Sequence, residues 1–294
     1  MIRLRLLAEY ALARVFLGAV ELLPAPLAMG AARRMADLVF LVHRRRRRIA
    51  TDNVLASGIV ADARAARRIA RESFRHLALI VVESLRSGVE GSVNGGASAA
   101  LVEWDVPASV EALLDDERQG LILASGHLGS WEAAAQILSL RKPVMGITSP
   151  MNNPRVERLV QERKPRGRFT LTSKHDLDTG RFFACLKRGD VLALMIDQRA
   201  LKRGIEVAFF GRPAATHTSI ALLHLTTRVP IVFGWCERVG PGHYRFHAEE
   251  PLRHARSGDK ERDVRAILEA LYHKLECAIR AHPEQYMWGH RRWR

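Results

Sequence analysis

Cysteine is scarce: Cys185, Cys236 and Cys277 stand singly among 294 residues, with no CxxC pair. That excludes a disulfide framework. His273 and Cys277 alone show a ligand-like spacing, too little for a structural zinc site. Scattered thiols fit a reducing, cytoplasmic setting. Aromatics make up only 6% of the chain, and few interleave with arginines. With no zinc-finger, RRM or helix-turn-helix signature, nucleic-acid binding ranks last among the uses of its charge. Long apolar runs are missing from the N-terminal region. Its longest uncharged stretch, Leu22 to Ala32, contains Pro24 and Pro26 and falls well short of the ~20 residues a bilayer core demands. Glu9 and Arg14 interrupt what would be the apolar part of a signal peptide, so none is expected. HExxH, DxDxDG and GxSxG motifs are absent, which argues against a metal centre and against a nucleophile elbow.

What is present is positive charge. Against 31 Asp and Glu stand 46 Lys and Arg, a net +15, in a chain that is 48% apolar. Such a composition folds, and at ~150 residues per domain the length allows one large domain or two small ones. The arginine excess implies an acidic partner: nucleic acid, an anionic membrane surface, an acidic carrier protein or a phosphorylated substrate. In residues 1–48, Leu4, Leu6, Leu7, Leu12, Val15 and Phe16 interleave with Arg3, Arg5, Glu9 and Arg14, the pattern of an interfacial amphipathic helix. A second helical stretch, Met35 to Val42, runs into His43 and then five arginines, Arg44 to Arg48. Beside an amphipathic helix each such residue would gain ~1 kcal/mol at an anionic leaflet. A merely solvated basic helix face accounts for the cluster almost as well.

Residues 61–88 are again helical in pattern, with Ile69, Phe74, Leu77 and Val81 at spacings of three to five, and Gly91 to Ser98 reads as a connection. Beyond it, short apolar runs (Leu121 to Ala124, Pro143 to Ile147, Val191 to Ile196, Ile231 to Trp235) alternate with amphipathic stretches. That alternation predicts an α/β fold, a sheet flanked by helices. The expected organisation is a helical, membrane-associated region over 1–95 and an α/β catalytic domain over 96–294.

In an open α/β sheet the chemistry collects beyond the carboxyl ends of strands, which directs attention to Ser125-Gly126-His127-Leu128-Gly129-Ser130-Trp131-Glu132. Gly126 and Gly129 permit a sharp turn, Ser130 is a candidate N-cap, and Glu132 falls in the first turn of the helix. A carboxylate there can accept the Nδ1 proton of His127 and leave Nε2 as a base. The spacing itself is uninformative. Twelve histidines and 31 acids in 294 residues predict 12 × 31/294, about 1.3, such pairs by chance, and the chain has two, His127/Glu132 and His254/Asp259. Context favours the first, yet a structural histidine bonding a neighbouring backbone group fits it equally well.

These residues, with others in order, resemble the bacterial lipid A biosynthesis acyltransferases that add late acyl chains, within the lysophospholipid acyltransferase superfamily. Gly126 to Glu132 is similar to H-[FL]-G-x-W-E. Asn152-Asn153-Pro154 with Arg163 and Gly167, Leu186 to Val191, Asp197-Gln198, Val207 to Thr216 and Pro283 to Arg292 follow in family order. The resemblance implies a mixed sheet flanked by helices, as in glycerolipid acyltransferases. It implies transfer of a fatty acyl chain from acyl carrier protein, or less often a coenzyme A thioester, to a lipid hydroxyl at the cytoplasmic face of the bacterial inner membrane, with no cofactor beyond that co-substrate. Partners would be acyl carrier protein, anionic membrane lipid and the lipid acceptor, without nucleic acid, and attachment would be peripheral or shallow. His127 would be the base and Glu132 its orienting acid. Arg163 and backbone N–H groups near Gly129 would bind the oxyanion. Gly129, Trp131, Arg163, Asp197, Gln198, Phe210, Arg212 and Thr216 become the substrate-binding candidates.

Several of these, and some neighbours, have a blander reading: Asp197 as a loop acid, Phe209 and Phe210 as core, Thr216 as a helix cap, Arg212 as a surface residue, and Glu284, Arg291 and Arg292 as an ion-pair network. One departure stands out. Where many relatives carry a basic residue before the Asn-Pro pair, this chain has Thr148-Ser149, so the acceptor could be another lipid, such as a lysophospholipid or a phosphatidylinositol mannoside-type glycolipid. A non-catalytic lipid- or carrier-binding protein is the reading from a different class.

Overall fold

Apolar on both faces, Leu121–Ser125 is buried at every position, as a strand flanked by parallel neighbours and covered by helices must be. A computed structural model describes residues 2–87, 102–162, 168–173, 179–201 and 204–293. In it this segment is β2, at the centre of a seven-stranded sheet. The others are β1 (Val102–Asp105), β3 (Val144–Thr148), β4 (Phe169–Ser173), β5 (Val191–Met195), β8 (Ile231–Gly240) and β9 (His243–Ala248). The order is β1-β9-β8-β2-β5-β3-β4. All neighbours run parallel except β8 and β9, so the sheet is mixed and the α/β expectation holds. Strands β6 (Gly204–Phe209) and β7 (Arg212–His217) form a separate antiparallel pair.

The crossover helices are α5 (Ala108–Asp115), α6 (Trp131–Arg141), α7 (Pro154–Gln161), α8 (Thr179–Lys187) and α9 (Ser219–Thr227), and α10 (Lys260–Ala281) closes the domain. Helix α10 buries Ile267, Leu268, Leu271 and Leu275 along one stripe, the spacing of a core-facing helix. The expected cap is displaced by two residues at α9. Thr216 is fully buried in β7 and Thr218 occupies the N-cap position, because the chain extends the β6–β7 pairing before it turns helical.

Four helices precede the sheet: α1 (Ile2–Leu22), α2 (Ala25–Val42), α3 (Arg44–Ala56) and α4 (Ala63–Ser87). Pro24 and Pro26 end α1 and begin α2, where their missing N–H groups cost nothing. Arg47 Nη1 donates to the Phe40 and Leu41 carbonyls at 3.3 and 3.0 Å, covering the end of α2, and Arg46 donates to Gly289 O at 2.9 Å. Part of the basic run is therefore structural. Helix α4 is clamped to α2 by Asp37, which accepts from Arg75 and Arg71 at 2.6 and 2.8 Å. Those guanidiniums hold the Asp37 carboxyl well below the usual range. The outer faces stay apolar: Leu4, Leu12 and Val15 on α1 and Leu38, Leu41 and Val42 on α2 are exposed. Among the described residues, no helix is long and apolar enough to cross a membrane. The expected domain boundary near residue 95 and the Gly91–Ser98 connection lie outside the described residues.

Candidate active site

Strands β2 and β5 are paired in parallel, Leu121 with Val191 through Ser125 with Met195. Two residues past the end of each, at the same offset, stand His127 and Asp197. The Nδ1 of His127 lies 2.8 Å from Asp197 Oδ1, and the His127 backbone N–H donates to Oδ2 at 2.9 Å. An ionised carboxylate only accepts, so Nδ1 carries the proton and Nε2 presents its lone pair. The Gln198 side-chain amide lies 3.3 Å from that Nε2. Burial by itself would push the imidazolium down. The Asp197 carboxylate outweighs it, and the His127 pKa lies above its ordinary value. Burial likewise acts to raise Asp197, but the facing imidazole and three hydrogen bonds keep its pKa below the usual one.

The turn that presents His127 is fixed from three sides. Gly129 has a left-handed φ of +62°, and a Cβ there would sit 1.9 Å from the Cys236 carbonyl, so no other residue fits. Its N–H donates to Gln285 O, Ser130 N–H to Cys236 O, and Met287 N–H to His127 O, at 3.0, 2.8 and 2.9 Å. From α4, His76 Nε2 lies 3.2 Å from Gly129 O. Burial pushes the His76 pKa down to about 4, so the ring is neutral, and a carbonyl partner requires the Nε2–H tautomer. His76→Leu is expected to lower both stability, by ~1–3 kcal/mol for the orphaned carbonyl, and turnover, while His76→Gln, which keeps a donor, restores most of each. Denaturant melts and initial rates of the two variants check this.

A cavity of about 950 Å³ opens at His127 along the carboxyl ends of β3 and β5 and the amino-terminal half of β4. Trp131, Glu132, Thr148, Ser149 and Gln198 line it near the histidine, and Phe169, Leu171, Phe182, Phe183, Ile220 and Leu223 supply apolar wall. The Trp131 ring meets the His127 ring edge-on, centroids 5.1 Å apart. This is space for a largely apolar substrate, with polar side chains also at Thr179, His217, Ser219 and Thr226.

Of the residues expected at the site, His127, Glu132, Trp131, Asp197 and Gln198 come together. The carboxylate on Nδ1 is Asp197, where Glu132 was expected. Glu132, in the first turn of α6, is instead part of the cavity wall. The backbone N–H groups at Gly129 and Ser130, expected to bind an oxyanion, are spent on protein carbonyls, so the turn itself offers neither. Ser130 holds the N-cap position without a hydroxyl cap bond, and Gly126 supplies room rather than a left-handed turn, since a Cβ would meet Leu275 Cδ1 at 2.7 Å. Arg163 lies outside the described residues.

Phe210, Arg212 and Thr216 do not line the cavity. Phe210 is buried against Phe209 and Trp288, with the Arg280 guanidinium 4.9 Å from its ring centre. The Arg212 guanidinium lies 5.7 Å from the Trp293 ring centre. Thr216 Oγ1 accepts from Arg292, which also donates to Ala215 O and to the Tyr272 hydroxyl. Buried Arg292 is thus held by neutral acceptors, not by the expected ion pairs. His254, of the second His-acid spacing, bonds Asp263 at 2.9 Å while Asp259 caps α10, a structural arrangement. Sequence reasoning missed His76 altogether, because its single α4 position carries no local motif.

Burial pushes the Cys185 thiol up to about 11 and that of Cys236 higher still, which makes both poor nucleophiles. Among the described residues, no group of three or more His, Cys, Asp or Glu is placed to hold a metal ion.

Compared with known families, residues 2–294 match the model for bacterial lipid A biosynthesis acyltransferases. No curated protein matches the chain.

Proposed function

The chain belongs to the bacterial lipid A biosynthesis acyltransferase family and is an acyltransferase; from that premise we propose that it moves a fatty acyl chain from an acyl carrier protein thioester to a hydroxyl of a lipid A precursor. The observation that carries this reading is a histidine, fixed by a buried carboxylate, on the wall of a large cavity with many apolar side chains. The neutral His127 Nε2 takes the acceptor hydroxyl proton as the oxygen attacks the thioester carbonyl. Asp197 holds the ring and stabilises the imidazolium. The Gln198 amide, displaced from Nε2 by the incoming hydroxyl, donates to the oxyanion of the tetrahedral intermediate. Collapse breaks the C–S bond, and the proton on Nε2 goes to the departing thiolate. No acyl-enzyme is needed, and the buried thiols support that economy.

Support for peripheral membrane attachment comes from the exposed apolar residues of α1 and α2 and from Arg44, Arg45 and Arg48, all exposed. These suit shallow insertion into an anionic leaflet, at the cytoplasmic face of the inner membrane. A second acceptor class is favoured by Thr148 and Ser149, neutral hydroxyls on the cavity wall. The test is a transfer assay with purified protein in detergent, offering acyl carrier protein and coenzyme A thioesters against lipid A precursors, lysophospholipids and mannosylated glycolipids, products read by mass. An acyl-sized gain on the lipid A precursor is expected. No transfer to any acceptor by folded protein overturns the reading, and transfer to another acceptor alone replaces its substrate.

A further inference from the structure

The apolar wall of the reaction cavity, Phe169, Leu171, Phe182, Phe183, Ile220 and Leu223, suits an acyl chain, and a phosphate pressed against it would lose its hydration. Membrane lipids that offer a hydroxyl for acylation commonly carry a phosphate, and exposed guanidiniums are groups well suited to hold one.

A second hollow, about 510 Å³, lies between α1 and α7. Its walls are Tyr10, Pro154, Arg155, Arg158, Leu159 and Glu162. Arg155 and Arg158, three residues apart on α7, project from one side of the helix. Both are exposed, and neither has an ion-pair partner among the described residues. Arg14 adds a third guanidinium, with Nη1 3.5 Å from the Tyr10 hydroxyl. Glu162 is the one acid on the wall, so the balance is cationic. The two walls are tied together: Asn153 caps α7 through the Arg155 and Val156 N–H groups, and its amide donates to Leu6 O at 2.8 Å and to Glu9 Oε2 at 3.2 Å.

Position completes the argument. Helix α1 exposes Leu4, Leu7, Leu12 and Val15, so the hollow opens beside the helix assigned to the lipid interface. Ser149 on the cavity wall and Pro154 on the hollow wall are five residues apart in sequence, which keeps their Cα atoms within about 18 Å. One short segment of chain thus joins the wall of the cavity to the wall of the hollow.

We propose that Arg155 and Arg158 form a phosphate subsite that holds the headgroup phosphate of the acceptor lipid while its hydroxyl reaches His127. The proposal rests on the reading of His127 as the transfer base. It does not depend on which phosphorylated acceptor is used.

The experiment uses the full chain in uncharged detergent micelles, with Arg155→Gln, Arg158→Gln and the double variant, against a phosphorylated acceptor and its dephosphorylated counterpart. For the phosphorylated acceptor KM is expected to rise about tenfold per substitution, the equivalent of ~1.4 kcal/mol, with kcat much less affected. The dephosphorylated acceptor is expected to be indifferent to all three. Inorganic phosphate should compete with the wild type and lose its effect on the double variant. Equal losses on both acceptors, or none, overturn the subsite. So does a loss for both acceptors that appears only when the assay is repeated on phosphatidylglycerol vesicles in place of the micelles, which would make the arginines a general membrane contact. If the wild type transfers to no acceptor, calorimetric binding of the two lipids still decides. Preference for the phosphorylated lipid that the double variant loses supports the subsite even as the transfer reading fails, and no such preference overturns it.

Discussion

His127→Ala is expected to reduce acyl transfer by at least ~10³-fold with the fold retained. General base catalysis alone contributes ~10²–10⁴-fold, and the histidine also returns the proton to the leaving thiolate, so both halves of the reaction suffer. The fold should survive because the ring makes no contact on which the sheet depends: its partners are Asp197 and the Gln198 amide. The substitution does leave Asp197, only 3% exposed, with the His127 backbone N–H as its remaining partner from this residue. A buried carboxylate stripped of a partner is costly, and a fall in thermal stability would accompany the lost activity. His127→Asn separates the two effects. Its amide can donate toward Asp197 in place of Nδ1–H but offers no base, so it should melt closer to wild type and be as inactive as the Ala variant. Rates by product mass, with melting curves on the same preparations, read both. Substantial turnover in either variant would mean that the histidine holds the turn and that the base lies elsewhere.

The strands that build this site were legible because a parallel sheet covered by helices demands short, uninterrupted apolar runs, and Leu121 to Ala124 and Val191 to Ile196 are such runs. Their adjacency was not. Sheet order is set by which crossover packs on which face, and nothing in either run names its neighbour. That is why His127 was found and its partner misassigned. A search confined to one loop sees Glu132 five residues on, whereas Asp197 is seventy residues away and becomes close only when β2 lies beside β5. The sequence carries no matching signal, because the two apolar runs are four and six residues long and end at different distances from His127 and Asp197; the equal offset appears only once the paired strands end at Ser125 and Met195. The Gly129 and Ser130 N–H groups are lost as oxyanion donors for a different reason, while Arg163 lies outside the described residues. The Gly129 turn was correctly read as tight, but a tight turn buried against β8 and the C-terminal segment spends its N–H groups on protein carbonyls. Buried Arg292 shows the same limit, since a charged residue in a motif looks like half an ion pair until the carbonyl and hydroxyl oxygens around it are seen.

Asp197→Asn is expected to cost ~10³–10⁴-fold in kcat, against a much smaller loss for Glu132→Gln. An amide at 197 can still meet the ring, but it no longer imposes the Nδ1–H tautomer or stabilises the imidazolium, and loss of that function in acid-base triads falls in this range. Glu132 lines the cavity without being the group on Nδ1, so its removal should act on substrate placement and appear mainly in KM. The pH dependence distinguishes the two independently. The His127 pKa is raised because the Asp197 carboxylate favours the imidazolium over the opposing effect of burial, and only the neutral ring accepts a proton. The acid limb of kcat/KM is therefore expected at a pH above the ordinary histidine value of ~6.5, with activity falling as pH drops through it. Removing the carboxylate leaves burial unopposed, so the limb of Asp197→Asn should move to lower pH while that of Glu132→Gln stays near wild type. The reverse pattern, a shifted limb and the larger kcat loss in Glu132→Gln, would assign the orienting role to Glu132 and require the turn to rearrange when substrate binds.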